Sequence, residues 1–469
     1  MLGHHFTEET IAAVATPPGR GGVAIVRISG PETLDIARRL LRRRDRGQLE
    51  LSPRRIEVGF AVDTDNGEAL DQVLCFYMPG PRSYTGEDVV EIHCHGGPVP
   101  VGRILETVFA AGARPAEPGE FTRRAFLNGR IDLTQAEAVG DLVAARSRTA
   151  ARLAMDQLEG HLGGEVRRLR SELLDLLASI EVVLDYPEMD IEQRHMGDII
   201  AAAERIGERL RDLRESAAVG RPFREGIRTV ILGRPNVGKS SLLNALVGRE
   251  RAIVTNVPGT TRDTVEEELI LQGIPLILVD TAGIRESGDH VERLGVQRAR
   301  DAARRAELIL VVLDDSNGLT EEDRGIVSSL SEGPATVIVV NKTDLREGAV
   351  PIGQIREMMP DAPVVRTSAL TGEGLDALGK KVAELVLGSG GAWGGESEGA
   401  VITSARHERA VAAAEQSVSA FVSALGGSMP VDVASIDLRE AIERLGYITG
   451  ESVTEDLLDN IFANFCVGK

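Results

Sequence analysis

Cysteine is scarce in this chain: three in 469 residues, at positions 75, 94 and 466. An odd number at such wide spacing fits neither a disulfide scaffold nor a four-ligand zinc site, and it suits a reducing cytoplasm. Long apolar runs are missing too. No window approaches twenty uncharged apolar residues, and the start, MLGHHFTEET, lacks a basic stretch followed by an apolar one. Neither a membrane span nor a secretory signal is expected, and the cytoplasm is the expected location. Hydrophobic residues make up 42% and charged ones 27%, an ordinary soluble composition. The length exceeds what a single core organises, so two or three domains are expected.

Positive charge is in deficit, with a net of −19, but the deficit is local. Residues 1–130 hold 16 Lys+Arg against 17 Asp+Glu, and residues 227–385 hold 19 against 24. The remainder holds 18 against 31, and most of the acidity sits there. A polyanion can still dock on the other two regions.

Three textures follow one another. Residues 1–127 mix alternating apolar runs (VAIVRIS at 23–29, VLCFYM at 73–78, VVEIHC at 89–94) with short helical patterns, which reads as an α+β domain. Residues 128–225 become almost continuously helical in pattern from Thr134 to Arg224, interrupted near Tyr186–Pro187. From Gly226 to residue 385, short aliphatic strands (RTVILG, PLILVD, ELILVVLD, ATVIVVNK, PVVRTS) alternate with helical stretches, among them helices from Ser241 and Gly374. That rhythm predicts a mainly parallel, doubly wound α/β sheet. Residues 386–400 are a Gly-rich linker, and 401–469 return to helix before a terminal FCVGK. The α/β domain is thus expected to be inserted into a helical one.

The strongest motif is G-x-x-x-x-G-K-S at Gly233–Ser240, between a strand and an apolar helix. Backbone amides along Asn236, Val237, Gly238, Lys239, Ser240 and Ser241 can cradle phosphates. The Lys239 ammonium reaches the β/γ oxygens, and the Ser240 hydroxyl can ligate Mg²⁺. Its partners follow in order. Thr261, in PGTTRD, can close on Mg²⁺ and the γ-phosphate. Asp280-Thr281-Ala282-Gly283 ends another strand, with the Asp behind the Mg²⁺ ligands and the Gly amide sensing the γ-phosphate. Asn341-Lys342-Thr343-Asp344 offers a carboxylate for the N1–H and amine of guanine, groups adenine lacks. Thr367-Ser368-Ala369 supplies the last base contact. Together these predict a GTPase domain.

Two details stand out. The position after Gly283, where many relatives carry a water-orienting Gln, is Ile284, so another residue must hold the water. On spacing alone, Asn236 together with the segment Thr255-Asn256-Val257-Pro258-Gly259-Thr260-Thr261 holds a monovalent cation against the phosphates, or else Asn236 only shapes the loop.

Taken with ATPPGRGGVAIVRISG (15–30), PGPRSYTGEDVVEIHCHGG (79–97), PGEFTRRAFLNGRIDLTQAEAVGDLV (118–143) and FCVGK, these motifs make the chain resemble the tRNA modification GTPase MnmE (TrmE) family along its whole length. The resemblance implies a cytoplasmic homodimer with an N-terminal tetrahydrofolate-binding and dimerisation domain, a helical domain and an inserted Ras-like G domain. It implies an FAD-dependent partner, MnmG, in a heterotetramer or larger complex. Together they would add an aminomethyl or carboxymethylaminomethyl group to C5 of the wobble uridine of certain tRNAs. The one-carbon unit would come from 5-formyl- or methylene-tetrahydrofolate, and FAD would enter only through the partner. By motif position, the K⁺ ligands would be Asn236, Thr255, Val257 and Thr260, and the Mg²⁺ ligands Ser240 and Thr261. Glu292 would orient the water, so that Glu292, Lys239 and Thr261 form the catalytic set. Arg27, Glu91, Arg130 and Lys469 would bind folate.

Other residues read as structure. Strand alternation puts Cys94 on the face opposite His93 and His95, against a metal site. Cys466 has no adjacent base and is expected to be packed. The arginines at 42–46 are expected to be a solvated helix end. Two other functions compete. One is a ribosome-assembly or regulatory GTPase, which would have no use for ATPPGRGGV and FCVGK. The other is a GTP-gated folate one-carbon enzyme, which would turn folate over without an FAD partner or tRNA.

The Glu292 assignment yields a prediction. A carboxylate that orients water contacts neither phosphate nor base, so Glu292→Ala should slow single-turnover GTP hydrolysis by about 10²–10⁴ and leave nucleotide affinity nearly unchanged. If rate and affinity fall together, the residue shapes the loop rather than the chemistry.

Overall fold

The computed structural model describes residues 9–185, 193–249, 267–279, 303–330, 333–345, 348–388, 399–427 and 429–469. In chain order the first elements are β1 (Ile11–Val14), β2 (Ala24–Ser29), α1 (Thr33–Leu40), β3 (Leu41–Arg42), β4 (Ile56–Val62), β5 (Ala69–Met78) and β6 (Val89–Cys94). Next come α2 (Pro98–Ala110), β7 (Arg114–Pro115), α3 (Glu120–Leu127), α4 (Leu133–Ala144), α5 (Arg148–Leu158), α6 (His161–Asp185), α7 (Gln193–Glu215) and α8 (Ala217–Glu225). The alternating region contains β8 (Ile227–Leu232), α9 (Lys239–Arg249), β9 (Glu267–Leu271), β10 (Ile274–Leu278), β11 (Leu308–Asp314), α10 (Glu321–Ser328), β12 (Ala335–Asn341), α11 (Ile352–Met358), β13 (Val364–Arg366) and α12 (Leu375–Leu387). Three helices follow: α13 (Ala405–Gly426), α14 (Val431–Thr449) and α15 (Glu455–Phe462). By compactness the chain divides into two units, one of residues 1–140, 157–171 and 442–469, the other of residues 141–156 and 172–441.

The first unit is built on a seven-stranded sheet in the order β3-β4-β5-β6-β2-β1-β7, antiparallel except for the β1–β7 pair. The period of two sorts its residues. Val26, Ile28, Val90 and Ile92 join Ile36 and Leu40 of α1 and Ile104 and Val108 of α2 in one core. The intervening Arg27 and Glu91, paired in register, therefore share the opposite face. At the chain's end, Leu458 and Phe462 of α15 pack with Leu133 and Ala136 of α4. The arginine run corrects the sequence reading. α1 stops at Leu40, Leu41–Arg42 add a short strand to β4, and Arg46 takes φ +66° in a solvated turn. Leu41 is fully buried, which pulls the chain into the sheet before the helix can continue.

A charged cluster is also buried here. Arg124 lies with 1% of its side chain exposed, donating to Glu87 Oε2 (3.0 Å) and Glu120 Oε1 (3.3 Å). Arg114 Nη2 donates to the same Glu120 oxygen at 2.7 Å, and the Glu117 amide to Oε2 at 2.7 Å. Burying the charges of Arg124 and Glu120 is tolerable only because each is paired and hydrogen-bonded.

The second unit holds the six-stranded sheet β13-β12-β11-β8-β10-β9, parallel but for the β9–β10 hairpin. β11 (LILVVLD) is buried at every position, the signature of a central parallel strand covered on both faces. Alternate residues go to opposite cores. Leu310, Val312, Val337 and Val339 meet Leu242 and Leu246 of α9 and Leu378 and Val382 of α12. Ile309, Val311, Leu313, Ile338 and Val340 meet Ile326 of α10 and Ile355 of α11. The doubly wound α/β reading of the sequence is what the chain adopts. In the same unit α7 buries Ile199, Ala203, Ile206, Leu210 and Leu213, an amphipathic stripe laid along α13. Among the described residues, no helix is long and apolar enough to cross a membrane.

The charged cluster predicts a pH dependence. Burial opposes ionisation of Glu120, but the bonds from Arg114 and the Glu117 amide outweigh it and hold its pKa below the usual glutamate value. A depressed folded pKa contributes stability that is complete above the unfolded value, about 4.3, and is lost as pH falls through the folded one. Glu120→Gln should therefore cost about 1–3 kcal/mol near neutrality and lose less stability than the parent on acidification. Urea denaturation across that pH range measures both; parallel acid limbs in the two proteins would refute the assignment.

Candidate functional site

In a parallel sheet of this kind, ligand-binding loops gather beyond the carboxyl ends of the strands. The sequence motifs lie there: residues 233–238 follow β8, 342–344 follow β12 and 367–369 follow β13. The loop after β8 turns through Asn236 (φ +63°) and Gly238 (φ +96°). Only glycine suits position 238, because a Cβ would run into Asn341 Nδ2. Asn341 uses that amide to donate to Val237 O at 3.1 Å, tying the two loops together.

Lys239 opens α9, and its ammonium donates to the carbonyls of Gly233 (2.8 Å) and Arg234 (2.9 Å). The helix therefore begins with the lysine folded back across the loop, where the helix N-terminus already favours anions. Burial pulls the Lys239 pKa below the ordinary lysine value, while the charge of Glu322 opposes that drop. Ser240 and Ser241 occupy the exposed first turn of α9. An amide-lined turn, a glycine where a Cβ collides and a lysine at the helix start fit a phosphate chain.

The second loop is set by its own contacts. Lys342 takes φ +65°, and its ammonium donates to Asn236 O (2.6 Å) and Asp314 Oδ2 (2.8 Å). Asn341 Oδ1 accepts from the Ala369 amide (3.0 Å) and from Thr367 Oγ1 (3.4 Å). Asp344 is exposed, and its Oδ1 accepts from Ser368 Oγ at 2.5 Å. The serine thus fixes the orientation of a carboxylate whose other oxygen is Oδ2, as recognition of a purine's N–H edge needs. The predicted residues 236–241, 341, 342, 344 and 367–369 are brought to one edge of the sheet. Thr255–Thr261, Asp280–Gly283, Ile284 and Glu292 lie outside the described residues. The helix expected from Ser241 begins two residues earlier, because Lys239 itself is helical.

Sequence reasoning missed Asp314 and Asp315, the acids that close β11. Burial works against the Asp314 carboxylate, yet Lys342 and the hydroxyl and amide of Ser316 hold its pKa below the usual range. Asp315 is fully buried and accepts from the amides of Gly348 (2.9 Å) and Val350 (2.8 Å). The signal was present: two adjacent acids ending an otherwise apolar strand have to be paired.

The first unit carries a second candidate site. Arg27 donates to Glu91 Oε1 from Nε (2.9 Å) and Nη2 (2.8 Å), and from Nη1 to Gly468 O (3.4 Å). Its guanidinium lies 5.5 Å from the ring centroids of both Tyr84 and Phe121. The terminal segment is docked beside it: Val467 bridges Pro118, and the Phe121 amide donates to Lys469 O at 3.2 Å. Gly468 has φ +95°, and a Cβ there would strike Val14 O, so the approach requires glycine. Arg130 is exposed and donates to Ser83 O (3.1 Å), one residue from Tyr84. Arg27, Glu91 and the tail are thereby joined, with Arg130 on the adjoining segment. A polar pair beside two aromatic rings fits a flat heteroaromatic ligand. Tyr84 and Phe121 were not singled out from sequence, since spacing does not reveal what flanks an arginine.

The geometry places two of the cysteines. Cys94 is buried, its thiol pushed up to about 11 by burial and by Asp71, while His93 faces Glu91 (3.4 Å) and His95 bonds Asp71 (2.7 Å). No metal-binding group of three appears among the described residues. Cys466 corrects the expectation of a packed side chain: it is exposed, because its carbonyl, accepting from the Gly119 amide (3.4 Å), turns inward in its place.

A doubly wound sheet with a lysine-closed phosphate loop at its carboxyl edge and an Asn-Lys-Thr-Asp loop beside it is the arrangement of the P-loop GTPases, and the second unit contains it. Comparison with known proteins goes further. A family model described as the MnmE helical domain matches residues 133–466, and one described as the GTP-binding protein TrmE N-terminus matches residues 10–130. The tRNA modification GTPase MnmE of Natranaerobius thermophilus is 45% identical over 464 residues, 99% of this chain and 100% of that one. That of Geobacillus thermodenitrificans is 48% identical over 466 residues, covering 98% and 99%. Among solved structures, the G domain of the T. maritima FeoB iron transporter is 27% identical over 34% of this chain and 98% of that one, with a TM-score of 0.25. The chain belongs to the MnmE (TrmE) family.

The Asp344–Ser368 geometry yields a test of base selection. Asp344→Asn turns one acceptor into a donor and should shift preference from GTP towards xanthosine triphosphate, whose 2-oxo group suits it. Competition binding with the two nucleotides reads the shift. Unchanged GTP preference would remove Asp344 from the base site.

Proposed function

We propose that this protein is a GTP hydrolase of tRNA modification, acting with the FAD-dependent MnmG on C5 of the wobble uridine. The reaction adds an aminomethyl or carboxymethylaminomethyl group, with a tetrahydrofolate derivative supplying the one-carbon unit. The observation that carries the reading is the coexistence, in one chain matched from end to end by MnmE relatives, of a phosphate loop and an arginine–carboxylate pair whose guanidinium lies over two aromatic rings. The domains are 1–127, folate-binding and dimerising; 128–225 with 401–469, helical; 226–385, the G domain; and 386–400, a linker. The working form is a cytoplasmic homodimer, joined with MnmG in a heterotetramer or larger complex.

Within the G domain, amides 236–241 hold the phosphates, and Asp344 with Thr367, Ser368 and Ala369 selects guanine. Ser240 and Thr261 would hold Mg²⁺; the Asn236 side chain with oxygens of Thr255, Val257 and Thr260 would hold K⁺. When bound, both ions would supply positive charge to the phosphate oxygens. Lys239 adds its ammonium, and Glu292 orients the water in place of an amide at Ile284. In the first unit Glu91 recognises the paired N–H groups of a pterin. Arg27 holds Glu91, and Arg130 and Lys469 serve the ligand's anionic end.

The reading is tested by incubating the protein with MnmG, FAD, methylene-tetrahydrofolate, GTP, Mg²⁺, tRNA and an amine donor, ammonium for the aminomethyl product or glycine for the carboxymethylaminomethyl one, and analysing the nucleosides. Modified wobble uridine should form in K⁺ and fall steeply in Na⁺, whose shorter bonds fit a K⁺-sized cage poorly. GTPase rates should follow the same order, and Asn236→Ala should abolish the difference while retaining GDP binding. Equal rates in the two salts would remove the K⁺ site, and unmodified tRNA in both would remove the modification reading.

A further inference from the structure

One segment, Asp314–Asp323, holds two basic residues of the nucleotide site from opposite ends. Asp314 holds Lys342, as described. At the other end, Arg234 Nε donates to Asp323 Oδ2 at 3.2 Å, with Asp323 fully buried and the arginine side chain 18% exposed. Arg234 is the second residue of the phosphate loop, and its carbonyl accepts from the Lys239 ammonium. Asp323 is the third residue of α10 and closes a capping box: its Oδ2 accepts from Thr320 N (3.1 Å) and Oγ1 (2.7 Å), and its amide donates to Thr320 Oγ1 (3.3 Å).

A capping box works without an arginine. Here a guanidinium has been buried against it at some cost, since Arg234 Nη2 and Asp323 Oδ1 are both buried without a hydrogen bond of their own. Such a pair returns little stability, and an apolar pair of the same volume often does as well. What it does provide is direction, because it ties one loop residue to the rigid first turn of a helix.

We propose that Arg234 and Asp323 are a positioning pair for GTP hydrolysis. By fixing the backbone at Arg234 against α10, they set where the carbonyls of residues 233 and 234 hold the Lys239 ammonium. The proposal rests on the reading of residues 233–240 as the phosphate site. Neither side chain has to touch the nucleotide. Arg234 is a spacer position in the motif pattern, so its chemistry is not dictated by the phosphates.

The test uses the full-length protein. Fluorescent GDP affinity, GTP kcat and KM, and thermal melting are measured for Arg234→Met, Asp323→Asn, the double variant and Arg234→Lys. Arg234→Met should weaken GDP binding about tenfold, because the carbonyls that hold the Lys239 ammonium lose their anchor on α10, with kcat falling as well. Arg234→Lys should recover part of that loss. The double variant should bind no worse than its weaker parent, since both changes break one interaction. A folded Arg234→Met with parental affinity and only a lower melting temperature would overturn the proposal, as would losses that add in the double variant. If Arg234→Met does not fold, Arg234→Lys decides: parental affinity overturns the proposal and weakened affinity upholds it. Lys239→Ala separates this outcome from the underlying reading. Undiminished GDP binding in that variant would mean that the loop is not the phosphate site at all.

Discussion

The nucleotide site depends on strands β11 and β12 being buried on both faces. A strand such as LILVVLD cannot leave either side to water, so helices must cover both, and each crossover returns the chain to the same end of the sheet. In β11 and β12 the apolar run gives way to a polar residue at the carboxyl end. Asp314 and Asn341 end the apolar runs of β11 and β12, Thr367 follows β13, and all three are buried. Having lost water, they must bond one another or the neighbouring loops. The resulting lattice, Asn341 to Val237, Thr367 and Ala369, and Lys342 to Asn236 and Asp314, holds separate loops in register. The site is the sheet's solution to its own polar ends.

The first unit answers a similar demand with antiparallel alternation. One face of β2 and β6 feeds the core, so the other must accept Arg27 and Glu91 together. A guanidinium over two rings, with its N–H groups on a carboxylate and a carbonyl, is held by four neighbours. The tail is part of that arrangement, because Gly468 lets the backbone come close enough for its carbonyl to be used. In both units, then, an arginine orients other groups through bonds within the protein.

Much of this was legible in the sequence. The strand–turn–helix rhythm and the motif spacings located the α/β sheet and its loops, because period and glycine placement are local properties. Residues whose role depends on long-range partners were not legible. Arg234 and Asp323 stand 89 positions apart, and nothing local marks the arginine, although T-x-x-D before an apolar run marks a helix start. The Arg42–Arg46 turn was misread for a related reason. Helical propensity favoured continuation, whereas burial of Leu41 in the sheet ended the helix. Cys466 was misjudged because side-chain direction in a terminal turn follows from which backbone groups are bonded, and no residue type encodes that.

The distribution of charge at the phosphate loop follows from the same pairing. The chain carries a net charge of −19, an unfavourable background for binding a polyanion. Arg234 and Lys342, though basic and adjacent to the loop, are each bonded to an aspartate and contribute little net field. Lys239 is held instead by two neutral carbonyls, so its positive charge is not cancelled by a bonded partner. Burial lowers its pKa, which means the ammonium is poorly solvated and gains more from meeting a phosphate than a surface lysine would. The helix N-terminus adds its amides at the same point. Attraction is thereby concentrated where the phosphates must lie, while the neighbouring cations are spent on geometry. An acidic protein can bind a nucleotide tightly because only a few groups are left uncompensated, and they converge.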